Sequence, residues 1–152
     1  MEKELTIDGE IIIDAPVAKV WDALTKPEWT RQYMFGCDVI SDWKPGSPVL
    51  WKGSWEGNDM IFVKGFAVNV QPGKLIQYTV FDPNSSLKDI PENYLTVTYI
   101  LSNEDGHTKL VVSQGDFSKV GEGERRYKES MDGGGWDNLL PKIKEVIEKQ
   151  AD

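Results

Sequence analysis

The residues with the sharpest chemistry in this 152-residue chain are few: one cysteine, Cys37, and one histidine, His107. His107 follows Glu104-Asp105-Gly106, a hairpin signal, so it is expected in solvent at a turn. Cys37 has no histidine near it in sequence and is expected as a small buried thiol. One Cys and one His cannot ligate zinc unless carboxylates supply the rest. The run Gly133-Gly134-Gly135 lacks the Lys-Ser/Thr of a phosphate-binding loop and does not follow a strand. No metal, cofactor or catalytic residue is therefore expected.

The aromatics are a stronger signal. Six Trp, five Tyr and five Phe are many large rings for one small domain. Trp51 and Trp55 share parity on one strand-like segment, Phe66, Val68 and Val70 alternate on another, and Ile76, Tyr78 and Val80 on the next. If these faces meet Trp136, they enclose a ring-lined cavity; the alternative is that the rings simply fill the core. Tyr78, Tyr99 and Gln114 place polar groups on otherwise apolar strand positions, where each must bond the protein, a ligand or water. The candidate ligand-binding set is thus Trp51, Trp55, Phe66, Tyr78, Tyr99, Gln114 and Trp136. An enzymatic alternative would use Tyr78, Tyr99 and Asp116 for acid–base work.

The elements that must position these groups follow from periodicity. Residues 5–13 are β-branched and predict a strand. Pro16 then opens a helix through Val17, Val20, Trp21 and Leu24, which Lys26-Pro27 ends, and a second short helix is expected over 28–34. Six strand-like segments follow, at 37–43, 48–56, 60–71, 74–82, 94–102 and 107–117. Pro45-Gly46, Gly57-Asn58, Pro72-Gly73, the stretch 83–93 and Asp105-Gly106 separate them, and such short turns imply an antiparallel meander. After Gly121 a long helix is expected, with Trp136, Leu139, Leu140, Ile143, Val146 and Ile147 on one stripe. Its three glycines read best as a close crossing over the sheet, with a loosened helix beside Pro141 as the alternative. Glu122, Glu124, Arg125, Arg126, Lys128 and Glu129 read as a solvated, mixed-charge face before it.

A net charge of −8, with basic residues mixed among acids, excludes nucleic acid and an anionic membrane surface as partners. No apolar run reaches membrane-spanning length, and MEKELTIDGE lacks a leader's charge pattern. With a lone cysteine, the expected compartment is the cytoplasm. One domain over 1–152 is expected.

Three stretches extend this reading: IIIDAPVAKVWDALTKPEWTRQYM (11–34), VKGFAVNVQPGKLIQYTVF (63–81) and GGWDNLLPKIKEVIE (134–148). With the strands between them they resemble the SRPBCC (START-like, helix-grip) superfamily. The nearer likeness is to its bacterial branch named after the C-terminal domain of the heat-shock-ninety ATPase activator. The resemblance implies an α+β fold in which a seven-stranded curved antiparallel sheet grips a long C-terminal helix, with two short helices after the first strand and a cavity between sheet and helix. Its leading functional implication is non-catalytic binding of a small hydrophobic or aromatic molecule. A polyketide cyclase/aromatase-like enzyme and a chaperone-related interaction module, linked to stress response, stand as alternatives. A chaperone contact and a homodimer stay open as partners.

Overall fold

A computed structural model describes residues 5–34 and 36–149. Residues 1–4, on which part of the leader reading falls, lie outside the described residues. Strand β1 (Ile7–Ile13) leads through Pro16 into helices α1 (Val17–Thr25) and α2 (Pro27–Thr30). Strands β2 (Asp38–Ile40), β3 (Pro48–Trp55), β4 (Asn58–Gln71), β5 (Leu75–Val80), β6 (Leu95–Glu104) and β7 (His107–Gly115) follow, then helices α3 (Gly123–Asp132) and α4 (Trp136–Lys149). All seven strands join one antiparallel sheet in the order β1-β7-β6-β5-β4-β3-β2. The meander is local in sequence. Among the described strands, β1 alone pairs with a strand that is not its neighbour in sequence, from Ile7 opposite Gln114 to Ile13 opposite Thr108.

Two turns show why neighbouring strands pair as they do. Glu56-Gly57 (φ 50° and 82°) and Asp105-Gly106 (φ 53° and 88°) take positive φ at both central residues. That geometry twists a two-residue hairpin in the sense of its strands. The first turn therefore falls one residue earlier than Gly57-Asn58, and Asn58 already pairs with Trp55.

Alternation buries one face of each strand. Ile76 and Tyr78, then Leu95, Val97, Tyr99 and Leu101, then Thr108, Leu110 and Val112 are all buried. From α4 the stripe Trp136, Leu140, Ile143 and Ile147 meets them, joined by Val20, Ala23 and Leu24 of α1. The main sheet contact of α4 is with β1. A Cβ at Gly9 would lie 2.8 Å from Leu140 Cδ1, so the glycine lets the helix settle directly on the strand.

The C-terminal helix differs from expectation. It is two helices, because α3 stops at Gly133 and left-handed φ values at Gly134 (96°) and Gly135 (56°) precede α4. A Cβ on Gly134 would sit 2.0 Å from the Asn138 amide nitrogen. Asn138 Nδ2 in turn donates to the Gly133 carbonyl. The glycines thus turn the chain, and close packing applies chiefly at Gly9. The second short helix is also shorter than 28–34, since residues 31–34 form turns after α2.

Ile143 is fully buried in the α4 stripe. Ile143→Ala is expected to destabilise the fold by about 2–5 kcal/mol, the range for truncating a buried aliphatic side chain. Urea melts check this; a loss under about 1 kcal/mol would place the stripe at the surface.

Candidate functional site

A cavity of about 800 Å³ lies between the concave face of the sheet and the junction of α3 with α4. Its floor is Trp51 of β3, Tyr78 of β5, Val97 of β6, Gln114 of β7 and Ile7 of β1. Ser130, Gly133, Gly135, Trp136 and Leu139 form the roof. Met34 and Cys37, just after α2, close one side, while Ser54, Trp55, Phe62 and Glu129 stand nearer solvent. The helix break matters here: two roof positions are glycine, so no side chain fills the space beneath them.

The aromatic rings form a connected series. Trp43 meets Tyr78 edge-on at 5.9 Å between centroids, Tyr78 lies 6.0 Å from Tyr99, and Tyr99 meets Trp136 edge-on at 5.7 Å. Trp51 leans against Tyr78 at 6.4 Å. Edge and tilted contacts suit the ring quadrupoles, which hold the floor rigid. Hydrogen bonds fix the polar ends: Trp43 Nε1 donates to Thr25 O at 2.9 Å and Tyr33 OH to Ala23 O at 2.7 Å.

Trp136 Nε1 lies 3.2 Å from Gln114 Oε1. An indole N–H only donates, so the glutamine must turn its oxygen towards it. Gln114 Nε2 is then left with two protons and no acceptor among the described residues. The Tyr78 and Tyr99 hydroxyls lie 3.4 Å apart, so that one donates to the other. Burial pushes the Tyr78 and Tyr33 phenols well above their ordinary range, reinforced by neighbouring tyrosines. The Tyr99 phenol is pushed up to about 12, again chiefly by burial. Burial and then Asp38 raise the Cys37 thiol. At neutral pH these groups are neutral donors and acceptors.

The structure brings together Trp51, Tyr78, Gln114 and Trp136 on the cavity wall. Tyr99 is buried one layer behind, wedged between Tyr78 and Trp136. Trp55 has inward parity but sits at a hairpin tip, 62% exposed at the cavity mouth. Phe66 is displaced outright: it is 50% exposed on the outer face and stacks on Tyr94. A β-bulge explains it. Ala67 pairs with Tyr78 but Asn69 with Gln77, so the extra residue Val68 shifts the phase of β4. Val70 turns inward, while Phe66 and Val68 turn out. A second bulge, between Trp51 and Lys52 against Val63 and Ile61, brings Phe62 as well as Val63 to the cavity. Neither leaves a glycine or proline mark in the sequence. Met34 and Leu139 were likewise unassigned; Leu139 was legible from the α4 stripe.

Asp116 does not line the cavity. Its Oδ1 accepts from Leu5 N at 2.9 Å, Ser118 N at 2.9 Å and Ser118 Oγ at 2.6 Å, tying the start of the chain to the end of β7. The Ser118 hydroxyl, followed by Leu5 N–H, holds its carboxyl below the usual range. His107 is half exposed, with Nδ1 3.0 Å from Asp14 Oδ1. Cys37 is a buried free thiol. Among the described residues, no three of His, Cys, Asp and Glu gather as metal ligands, and no helix is long and apolar enough to cross a membrane.

Residues 14–148 match the family model described as activator of Hsp90 ATPase homolog 1-like protein. The chain belongs to that family. Its architecture is the helix-grip fold of the wider START-like group. The solution structure of ChR145 from Cytophaga hutchinsonii is 35% identical, with 97% of each chain covered and a TM-score of 0.76. The Aha1 dimer from Colwellia psychrerythraea matches at 16% identity, 95% and 96% coverage, and a TM-score of 0.68. DynU16, from the dynemicin biosynthetic locus, matches at 15% identity over 97% of this chain and 48% of its own, with a TM-score of 0.71. No curated protein sequence matches the chain.

The three raised phenols set an alkaline limit. Above about pH 10 the unfolded chain ionises its tyrosines while Tyr33, Tyr78 and Tyr99 in the fold do not. The unfolded state then binds fewer protons, so this contribution is intact below about pH 10 and falls as pH approaches 12. Phenolate absorbance should show a class of tyrosines that ionises only as the protein unfolds. Full ionisation of all five in the folded state by about pH 11 would contradict the burial.

Proposed function

We propose that the protein binds a small hydrophobic or aromatic molecule in this cavity without converting it. The observation that carries the reading is the cavity itself: about 800 Å³, floored by a fixed set of rings, with few polar groups. Sites for small ligands have this size and composition. A flat guest gains dispersion contacts against Trp51, Tyr78 and Trp136, while Gln114 Nε2 and a tyrosine hydroxyl set its orientation. The phenols stay protonated at neutral pH, and Asp116 stands apart, so an acid–base relay among Tyr78, Tyr99 and Asp116 has no support in the geometry.

A second reading, an interaction module, draws on the outer face, where Phe66 and Val68 are half exposed and Phe66 and Phe81 stack on Tyr94. Such apolar surface marks contact sites on many proteins.

An anilinonaphthalene probe separates the readings. It should quench tryptophan emission, raise the melting temperature by mass action, and return chemically unchanged. Trp51→Ala should weaken binding by about tenfold or more, since it removes one ring of the floor, and Lys52→Ala on the outer face of the same strand should not. Absence of quenching and thermal shift across a panel of flat apolar probes would leave the interaction module. Turnover of a probe, abolished by Tyr78→Phe, would make the site catalytic.

A further inference from the structure

A second chamber of about 430 Å³ adjoins the ring-lined cavity. The two share Val63, Val80, Gln114, Glu129 and Ser130 as common wall. On its far side the second chamber presents Arg125 and Arg126 of α3. The segment expected to be an outer, solvated face therefore turns one of its arginines inward.

The two arginines differ. Arg125 is matched by carboxylates: Nη2 lies 2.9 Å from Glu122 Oε2 and Nη1 lies 3.1 Å from Glu129 Oε1. Arg126 is partly buried, and its contacts are backbone carbonyls, with Nη1 3.1 Å from Asn93 O and 3.5 Å from Gly121 O. Among the described residues no carboxylate comes within ion-pair distance of it, and Nε and Nη2 have no acceptor. Asp82, the other acid lining the chamber, holds Asn84 N at 2.8 Å instead. Glu122 and Asp82 contribute attraction at longer range, whereas Arg125 opposes the charge. A partly buried guanidinium without a carboxylate partner is open to one, and its fork geometry fits a planar carboxylate. The shared wall adds Gln114 Nε2, a donor without an acceptor.

We infer that the guest is an aromatic carboxylic acid, its ring system in the large cavity and its carboxylate in the adjoining chamber facing Arg126 and Gln114. This rests on the small-molecule reading above and narrows it to an anion. The negative net charge repels such ligands at long range, so recognition depends on short-range contacts with this one guanidinium.

The test uses 2-naphthoic acid and its neutral isostere 2-naphthamide, with affinity read from tryptophan quenching and calorimetry. Wild-type protein should bind the acid about tenfold or more tightly over the amide, the size of effect expected of a charge-assisted pair. Arg126→Gln should bring that ratio near one, and Arg126→Lys should restore part of it. Independently of any variant, 2-naphthoic acid should shield Arg126 of the wild-type protein from phenylglyoxal, read by peptide mapping, and the amide should shield it less. Equal binding of acid and amide overturns the anion assignment while leaving the cavity reading intact. A ratio unmoved by Arg126→Gln, with both affinities lowered together, also overturns it and makes Arg126 a clamp on the Asn93 and Gly121 loops. Binding of neither probe removes both readings.

Discussion

The seat of Leu140 on Gly9 governs the rest of the molecule. It sets α4 down on β1 at one edge of the sheet, the strand that pairs far along the chain with β7. A helix is about 10 Å wide with its side chains, too narrow to cover seven strands. Tyr99 of β6 still meets Trp136, but beyond it the inner faces of β3 to β5 are covered only in part. Large rings rise from them, and the space that remains is the cavity. Fixing the helix at one side and leaving the other open are thus a single packing decision.

The same decision explains the state of the polar groups. Tyr78, Tyr99 and Gln114 sit where a filled core would have carried aliphatic residues. Each is partly satisfied: the two hydroxyls by each other, the glutamine oxygen by Trp136. What is left over is one phenolic proton and an amide NH₂. Donors left over in this way are uncommon in a core packed for stability alone.

Most of the architecture was legible because strong patterns are local. The run Leu95, Val97, Tyr99, Leu101 and the stripe Leu139, Leu140, Ile143, Ile147 each declare a face over several residues. Phe66 was not legible, because a bulge changes the phase of a strand without changing its composition. Trp55 had the right parity, yet parity does not tell where a sheet runs out of cover. The glycine run announced something unusual in the last helix, but propensity alone does not separate a close crossing from a break. That distinction belongs to the backbone angles. Arg126 was hidden for a further reason: it lies among Glu122, Arg125 and Glu129, whose charges compose an ordinary helix surface.

The roof of the cavity includes bare main chain at Gly133 and Gly135. At Gly134 a side chain of any kind meets both a left-handed φ of 96° and the amide of Asn138, and Gly135 carries a φ of 56°. Point substitution therefore has little purchase on that surface. Heritable change in the shape of the cavity is channelled instead to side chains such as Met34, Phe62 and Leu139, whose volumes alter the space without touching the backbone. The fold holds its ceiling constant and leaves selection free to refit the walls.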